Sequence, residues 1–365
     1  MENKQSINFI DEPIFDDNGV YDIMFGRQYE PHKRMLLFEP DDYEKFTQSW
    51  LYGCKRDKYD TIQNYGKSGD KGRDIVGVKK NGNWDNYQCK HYAKSLSPST
   101  ILLEVGKLIY YTQKGEYNIP DKYYFVSPKG LSNGSRDLLN NSKELMNTML
   151  DKWDMLCSTK ITKKEEIKLD ATLKAYIQEF DFSVFGYVDD DQMINELKDT
   201  KYYSMFFGGG FSKPRKASFD TPNEIQEDEQ KYIYCLLDIY SEFNDETIVD
   251  VDSLKAFNDD YEHFKEQRMH YYSAESLKIY ARDTLPTKGH FDKLKEDLYW
   301  AIKSIIRAKY VDGYTRLGEV QKYVSTIDFS SNILNSVLRM QDRLGICHHL
   351  SNNGEIEWVN KYGKI

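Results

Sequence analysis

The sequence has no long run of apolar residues and no recognisable targeting segment. Its 365 residues include no apolar stretch near the roughly 20 residues that a membrane-spanning helix requires. The first residues, MENKQS, lack the basic segment and apolar core that together mark a secretory signal. We therefore expect a cytoplasmic protein without a membrane partner.

Cysteine is scarce, and positive charge is not in excess. The cysteines, at positions 54, 89, 157, 235 and 347, form no CxxC pair and no disulfide-like framework, which favours reduced thiols in the cytoplasm. The net charge is -9 and the isoelectric point is about 5.4, which excludes a generally basic protein that coats DNA. A focused basic site within an acidic protein remains compatible with this composition.

A glycine-rich and basic segment, GKSGDKGRD at residues 66–74, precedes a predicted β-hairpin. The apolar residues 75–78 form the first strand, Asn81-Gly82 is a strong hairpin-turn signal, and residues 84–90 form the return strand. A hairpin with this turn folds the return strand back along the first strand. It therefore brings the end of the return strand close to Asp74, the last residue of the glycine-rich segment.

Side chains at this end of the hairpin have the types that metal-dependent phosphodiester cleavage requires. Because side chains alternate along a strand, Gln88 and Lys90 share one face and Cys89 points to the other. Mg²⁺ or Mn²⁺ would take oxygen ligands from the Asp74 carboxylate, the Gln88 amide and the main-chain carbonyl of Cys89. Lys90 would lie near the scissile phosphate, where it could help to deprotonate a water and offset charge on the phosphate oxygens. The alternative is a surface hairpin with a solvated lysine and an N-capping aspartate.

Basic residues cluster around the same hairpin. We predict contacts with the DNA backbone for Lys67, Lys71, Arg73, Lys94 and, at the end of a later predicted strand, Lys129. An exposed lysine needs no such role, so plain solvent exposure is the alternative for Lys129. A local basic cluster in an acidic chain indicates a phosphate-bearing partner at this site.

The order of these residues resembles the PD-(D/E)xK nuclease superfamily in its Mrr-like branch, which has Gly-Asp-x-Gly-x-Asp followed by Gln-x-Lys. The two halves are residues 69–74 and 88–90 in this chain. The resemblance implies a metal-dependent DNA endonuclease in which Asp74, Gln88 and Lys90 act together, with glutamine where many such enzymes have glutamate. It also implies a metal-site role for a glutamate of the first helix, and Glu44 is the matching position. A solvated first-turn glutamate, favoured by the helix dipole, is the alternative for Glu44.

The flanking segments predict the α/β core of that superfamily. Helices are expected around residues 41–51 and 100–113, and a buried strand is expected at residues 122–126. Helix, hairpin, helix and strand together make a restriction-endonuclease-like domain, in which helices flank a mixed central sheet.

The remaining chain predicts a mainly helical region that ends in a winged-helix-like module. A helix over residues 331–344 is followed by strands at 345–350 and 355–359, joined by the turn Asn352-Asn353-Gly354. The exposed face of that helix offers few basic residues, which favours protein contacts over DNA reading. The predicted divisions are an N-terminal arm, the nuclease domain, a middle region and a helical partner-docking domain, at residues 1–35, 36–160, 161–262 and 263–365.

Taken whole, the chain resembles the nuclease subunit of Lamassu-type ABC three-component antiphage systems. The resemblance rests on residues 266–277 (EQRMHYYSAESL), on Arg282-Asp283 and on Phe207-Gly208-Gly209. It implies an SMC-like ATPase and a third, small subunit as partners, and double-stranded DNA as the substrate. It further implies a nuclease that its partners hold inactive, and that self-associates as a dimer or tetramer on release.

Two other interpretations stay open. A stand-alone Mrr-like restriction endonuclease would read DNA with the winged helix, through Arg339 and Arg343. The second interpretation is a non-catalytic DNA-binding adaptor with a decayed nuclease fold. The glutamine at position 88, where many such enzymes have glutamate, leaves this interpretation open.

Overall fold

A mixed β-sheet organises the N-terminal part of the chain in the computed structural model, which describes residues 13, 22–65, 71–211, 213–216, 219–285 and 287–359. The chain divides into two compact units, Met1–Ser212 and Lys213–Ile365. The sheet belongs to the first unit, and the regular elements among the described residues of the second unit are helices.

The sheet carries its strands in chain order from one edge to the other. Its five strands are β1 (Thr61–Asn64), β2 (Ile75–Val78), β3 (Trp84–Cys89), β4 (Lys122–Val126) and β5 (Phe185–Val188). β1, β2 and β3 pair antiparallel, whereas β3 with β4 and β4 with β5 pair parallel. Parallel neighbours need long crossover connections, and helices supply them here.

Helices cover both faces of this sheet. They are α1 (Pro31–Met35), α2 (Pro40–Cys54), α3 (Pro98–Gln113), α4 (Asn133–Asn140), α5 (Ser142–Leu156), α6 (Ala171–Glu179), α7 (Asp190–Leu197) and α8 (Tyr203–Phe207), with short 3₁₀ turns at Arg56–Lys58 and Phe182–Val184. α3 makes the crossover from β3 to β4. It begins with proline directly after Ser97, whose hydroxyl accepts the N–H of Thr100 and caps the helix.

Each face of the sheet has its own apolar cluster. The cluster beneath α2 buries Phe46, Trp50, Tyr87 and Cys89. The cluster beneath α3 and α5 buries, among others, Val105, Tyr123, Phe125 and Trp153. Burial on both faces fixes the register of the strands, because a slip by one residue would exchange the two faces.

The predicted hairpin is confirmed. β2 and β3 pair with Ile75 opposite Tyr87 and Val78 opposite Trp84. In the loop, the N–H of Gly82 donates to the carbonyl of Lys79 at 2.9 Å, and Gly82 adopts a φ of 84°, a value that glycine reaches without strain. The predicted strand at residues 122–126 is β4.

The second unit is built from helices α9 (Gln230–Asn244), α10 (Val251–Leu254), α11 (Asn258–Thr284), α12 (His290–Ile306), α13 (Gly313–Val324) and α14 (Met340–Asn353), with 3₁₀ turns at Glu227–Glu229 and Ile333–Val337. The long α11 packs along α14. Their backbones approach so closely at Gly345 that a Cβ there would overlap the carbonyl of His270. Only glycine therefore fits at this crossing.

The predicted winged-helix module is wrong. Residues 345–350, expected as a strand, lie in the middle of α14, and the expected helix at residues 331–344 is split between the 3₁₀ turn and the start of α14. Gly354, at a φ of 78°, ends α14 as a left-handed cap and does not close a hairpin. The short run GICHHL is buried against a neighbouring helix, and periodicity cannot separate such a run from a buried strand.

The structure also divides the chain differently from the predicted domains. The expected boundary near residue 160 falls inside the first unit, because β5 pairs with β4 in the same sheet. The expected middle region, residues 161–262, is split between the two units. Most of the expected arm at residues 1–35 lies outside the described residues, and its last part forms α1.

The cysteines match their expected state. Cys54, Cys89, Cys157, Cys235 and Cys347 are free thiols. Within the part of the chain that the structure describes, none of the helices has both the length and the apolar character to cross a membrane.

Candidate functional site

The register of β2 and β3 places Asp74 beside Gln88. Ile75 lies opposite Tyr87, so Asp74 and Gln88 form the next position along the ladder. Both residues are buried, with 4% and 1% of their surface exposed. The predicted approach of Gln88 to Asp74 is therefore present in the structure.

One oxygen of the Asp74 carboxylate accepts two hydrogen bonds from β3. The Gln88 Nε2 donates to Asp74 Oδ2 at 2.5 Å, and the main-chain N–H of Cys89 donates to the same oxygen at 2.8 Å. Hydrogen bonds to an ionised carboxylate are strong, and they hold this acid at the end of the hairpin. Burial and the nearby charge of Asp74 raise the pKa of the Cys89 thiol well above its usual range, so the side chain of Cys89 stays neutral.

Tyr123 is a site residue that the sequence did not reveal. Its hydroxyl oxygen lies 2.8 Å from Gln88 Oε1 and 2.9 Å from the main-chain carbonyl oxygen of Gly72. Tyr123 is fully buried on β4, the strand next to β3. Parallel pairing of distant strands brings it to Gln88, and no local pattern in the sequence announces that pairing.

Lys90 lies beside a buried carboxylate that was also not predicted. The Lys90 Nζ is 3.3 Å from Glu104 Oε1, and Lys107 Nζ donates to the same oxygen at 2.9 Å. Burial by itself would lower the pKa of Lys90, but the negative charges of Glu104 and Asp74 outweigh it and raise that pKa. The two carboxylates therefore favour the charged form of Lys90, which suits charge stabilisation at a phosphate.

Glu104 stands out by its burial. Its side chain is 5% exposed, and its second oxygen, Oε2, is buried without a hydrogen-bond partner among the described residues. Glu104 lies on the apolar face of α3, between Ile101 and Leu108. A carboxylate is unfavourable there unless hydrogen bonds or opposite charges compensate for its burial. That interruption of the apolar face is the signal by which the sequence could have identified it.

Glu44, the proposed first-helix ligand, lies half-buried on α2. Its negative charge is one of the smaller influences that raise the pKa of Cys89, after burial and Asp74. The structure thus brings Glu44 to the neighbourhood of Cys89, on the α2 side of the sheet.

The predicted DNA contacts occupy several kinds of environment. Arg73 stacks between two tyrosine rings, 4.6 Å from the centre of Tyr65 and 4.4 Å from the centre of Tyr117. Lys71 pairs with Glu116 at 2.5 Å on the surface. Lys94 and Lys129 are exposed, and Lys67 lies outside the described residues.

The oxygen donors at the hairpin end fit a hard divalent cation after one rearrangement. No group of three or more His, Cys, Asp or Glu side chains in the described ranges is placed to hold a metal ion. A site here would rest on the Asp74 carboxylate and on neutral oxygens, from the Gln88 amide and the Cys89 main chain. Mg²⁺ accepts few protein ligands and retains several waters. The Gln88 nitrogen faces Asp74, so the amide must turn before its oxygen can bind a cation.

The arginines that a DNA-reading winged helix would use are engaged inside the second unit. Arg343 donates to the main-chain carbonyl of Ile327 at 2.7 Å and stacks over Phe329. Arg339 donates to the main-chain carbonyl of Lys216. Neither guanidinium is presented on a recognition helix.

Comparison with known proteins informs the helical unit only. Residues 229–358 match the model of the family described as C-terminal domain 6 of the ABC-three component (ABC-3C) systems. The matched region runs from just before α9 to just after α14. The match covers about a third of the chain, so it shows only what the helical region is similar to. No curated protein and no solved structure matches the chain significantly.

Proposed function

We propose that this chain is the DNA-cleaving subunit of an ABC three-component antiphage system, with a metal-dependent endonuclease site at Asp74, Gln88 and Lys90. The single observation that carries the proposal is the ladder position that joins buried Asp74 to Gln88, with Lys90 directly after the end of β3. A surface hairpin would not need a buried carboxylate and a buried amide beside a partly buried lysine at one end of one ladder.

The topology supports the proposal independently of the side chains. A helix, three antiparallel strands, a crossover helix and a parallel strand follow one another from α2 to β4. This is the order of elements that the resemblance to PD-(D/E)xK nucleases implies. The site would lie at the carboxyl end of β3, where the parallel part of the sheet begins.

The residues of the site have distinct tasks in the proposed reaction. A bound Mg²⁺ or Mn²⁺ would supply the positive charge that polarises a phosphodiester and acidifies a water. Asp74 and the oxygens of Gln88 and Cys89 would hold it, with Glu44 as a further carboxylate on the α2 side. Lys90, kept protonated by Glu104 and Asp74, would face the negative charge that develops on the phosphate.

The C-terminal unit supports a role within a larger assembly. Its match to an ABC-3C domain favours docking on partner subunits, which we propose to be an SMC-like ATPase and a third, small subunit. The chain as a whole is acidic, with a net charge of -9, so its affinity for DNA would depend on the basic residues near the hairpin. Release from the partners and self-association would then bring two sites to the two strands of DNA.

The stand-alone restriction enzyme is the second candidate, and the structure gives it less support. It needs a winged helix that reads DNA through Arg339 and Arg343, yet both side chains bind main-chain carbonyls of their own unit. Affinity purification from the native host tests this point. Recovery of an SMC-like ATPase with the tagged chain supports the assembly, and recovery of the chain alone favours the stand-alone enzyme.

Cleavage of supercoiled plasmid by the full chain in Mg²⁺ tests the catalytic assignment. Asp74→Asn and Lys90→Met should each lower the nicking rate by about a hundredfold or more, because each removes a charge from the site. Asp121→Asn is the matched control, since Asp121 is exposed at the other end of the hairpin, where it pairs with Lys79. Nicking that persists unchanged in both site variants would favour the non-catalytic adaptor.

A further inference from the structure

The Tyr123 hydroxyl faces more acceptors than it has protons. It lies 2.9 Å from the Gly72 carbonyl oxygen and 2.8 Å from Gln88 Oε1, and both of these atoms accept hydrogen bonds only. A phenol hydroxyl carries one proton, so it can satisfy one of the two oxygens at a time. One of these two oxygen–oxygen contacts of the fully buried Tyr123 therefore has no proton between its atoms.

A half turn of the Gln88 amide removes this conflict. The turn exchanges the amide nitrogen and oxygen, so that Nε2 faces Tyr123 and Oε1 faces Asp74. Tyr123 then accepts from Gln88 and donates its proton to Gly72. The turn is unfavourable next to Asp74. The Gln88 amide nitrogen now lies 2.5 Å from Asp74 Oδ2, and after the turn the amide oxygen would face that carboxylate oxygen without a proton between them. A cation bound by both oxygens offsets that repulsion.

We propose that Tyr123 is a positioning residue, which holds the Gln88 amide in its cation-binding orientation by accepting a hydrogen bond from Nε2. This inference rests on the proposed function, because it assigns the cation to Asp74 and Gln88. Without the cation the amide donates to Asp74, and with it the amide donates to Tyr123. The neighbours of Gln88 thus determine whether its amide oxygen or its amide nitrogen faces the cation. A glutamate would not need such positioning, because both of its carboxylate oxygens can bind a cation.

The Gly72 carbonyl completes the arrangement. Gly72 has a φ of 83°, a conformation that residues with side chains rarely adopt, and this turns its carbonyl toward Tyr123. The carbonyl takes the hydroxyl proton in the cation-bound state, so the hydroxyl oxygen can accept from Gln88. Gly72 therefore acts on the site through Tyr123.

Calorimetric titration of the full chain with Mn²⁺ tests the inference without relying on cleavage. Tyr123→Phe keeps the ring and removes the acceptor, so we expect Mn²⁺ to bind about fivefold more weakly, the effect of one net hydrogen bond. Tyr124→Phe is the matched control, since Tyr124 is next on β4, points to the opposite face and stacks on Tyr87 at 5.1 Å. It should change the affinity by less than about twofold.

The Gln88→Glu background separates positioning from a general structural effect. A carboxylate has no amide to turn, and Tyr123 donates to it with and without the cation. Tyr123→Phe should therefore change Mn²⁺ affinity by less than about twofold in that background. Equal loss in both backgrounds, or no loss in the Gln88 chain, overturns the inference and leaves the proposed function standing. Failure of the unaltered chain to bind Mn²⁺ in an Asp74-dependent way overturns both.

Discussion

The pair formed by Lys90 and Glu104 allows a quantitative prediction. Glu104→Gln removes one negative charge and keeps a carbonyl oxygen that can accept from Lys107. At an effective dielectric constant of about 20, two unit charges at the observed 3.3 Å attract by about 5 kcal/mol. Desolvation of both groups opposes this attraction, and Lys90 remains 17% exposed to water. We therefore expect a net coupling energy of about 2 kcal/mol between the two side chains.

A double-mutant cycle measures that coupling directly. The free energy of unfolding of the first unit is obtained for the unaltered chain, Glu104→Gln, Lys90→Met and the double variant, from urea titrations read by hydrogen exchange at the amides of α3. Glu116→Gln with Lys71→Met forms the matched control cycle, because that ion pair is 44% and 36% exposed. The exposed pair should couple by less than about 1 kcal/mol.

The reasoning is refuted if the buried pair couples no more strongly than the exposed pair. In that case Glu104 would not hold the Lys90 side chain in place, and Asp74 would be the other carboxylate that raises the pKa of Lys90. Plasmid nicking adds a functional reading of the same variants. If Glu104 holds the ammonium in place, Glu104→Gln should lower the nicking rate by about tenfold while Lys90 itself is retained.

Two further predictions concern the helical unit and the basic residues. Burial lowers the pKa of His349 to about 3, helped by the charges of Lys278 and Lys295, while Glu275 lies 3.6 Å from its Nε2. The pKa of His349 is lower in the folded chain than in the unfolded chain, so protonation favours unfolding. The contribution of His349 to the free energy of unfolding is therefore fully present above about pH 6.5 and falls by about 2 kcal/mol at pH 5. Hydrogen exchange at α14 amides should show a loss about 2 kcal/mol smaller in His349→Gln than in the unaltered chain, because burial also lowers the pKa values of His348, His263 and His270, which keep their own contributions. Equal losses in the two chains would contradict the prediction. The affinity for DNA can be measured at several salt concentrations with Ca²⁺ in place of Mg²⁺. Arg73→Met should reduce the slope of log affinity against log salt concentration by about 1. Arg56→Met is the control, since Arg56 also lies over a tyrosine ring, that of Tyr52, and it should leave the slope unchanged.

The hairpin and its residues were predictable because they depend on local rules. The Asn81-Gly82 turn fixes which residues of β2 and β3 face each other, and alternation along β3 then separates Gln88 from Cys89. The residue of β3 that lies opposite each residue of β2 then follows by counting outward from the turn. Turn chemistry and alternation are therefore sufficient to bring Gln88 to Asp74.

Tyr123 and Glu104 were missed for a different reason. Tyr123 reaches Gln88 through the parallel pairing of β3 with β4, and Glu104 reaches Lys90 through the crossover helix between them. Such contacts depend on how a helix packs across a sheet, which turn residues and periodicity do not specify. The prediction of a winged helix was wrong for the same reason. Residues 345–350 are buried because α14 packs against α11, and not because they belong to a sheet.

Gly345 has a consequence for how relatives of the helical unit are to be recognised. Any other residue at this position would drive a side-chain atom into the main chain of α11, at His270, so the position has no acceptable substitute. Exposed positions of the unit carry no such steric limit, whereas this crossing does. In proteins that share this helix pair, we therefore expect a glycine at the matching position of the last long helix even where the other residues differ.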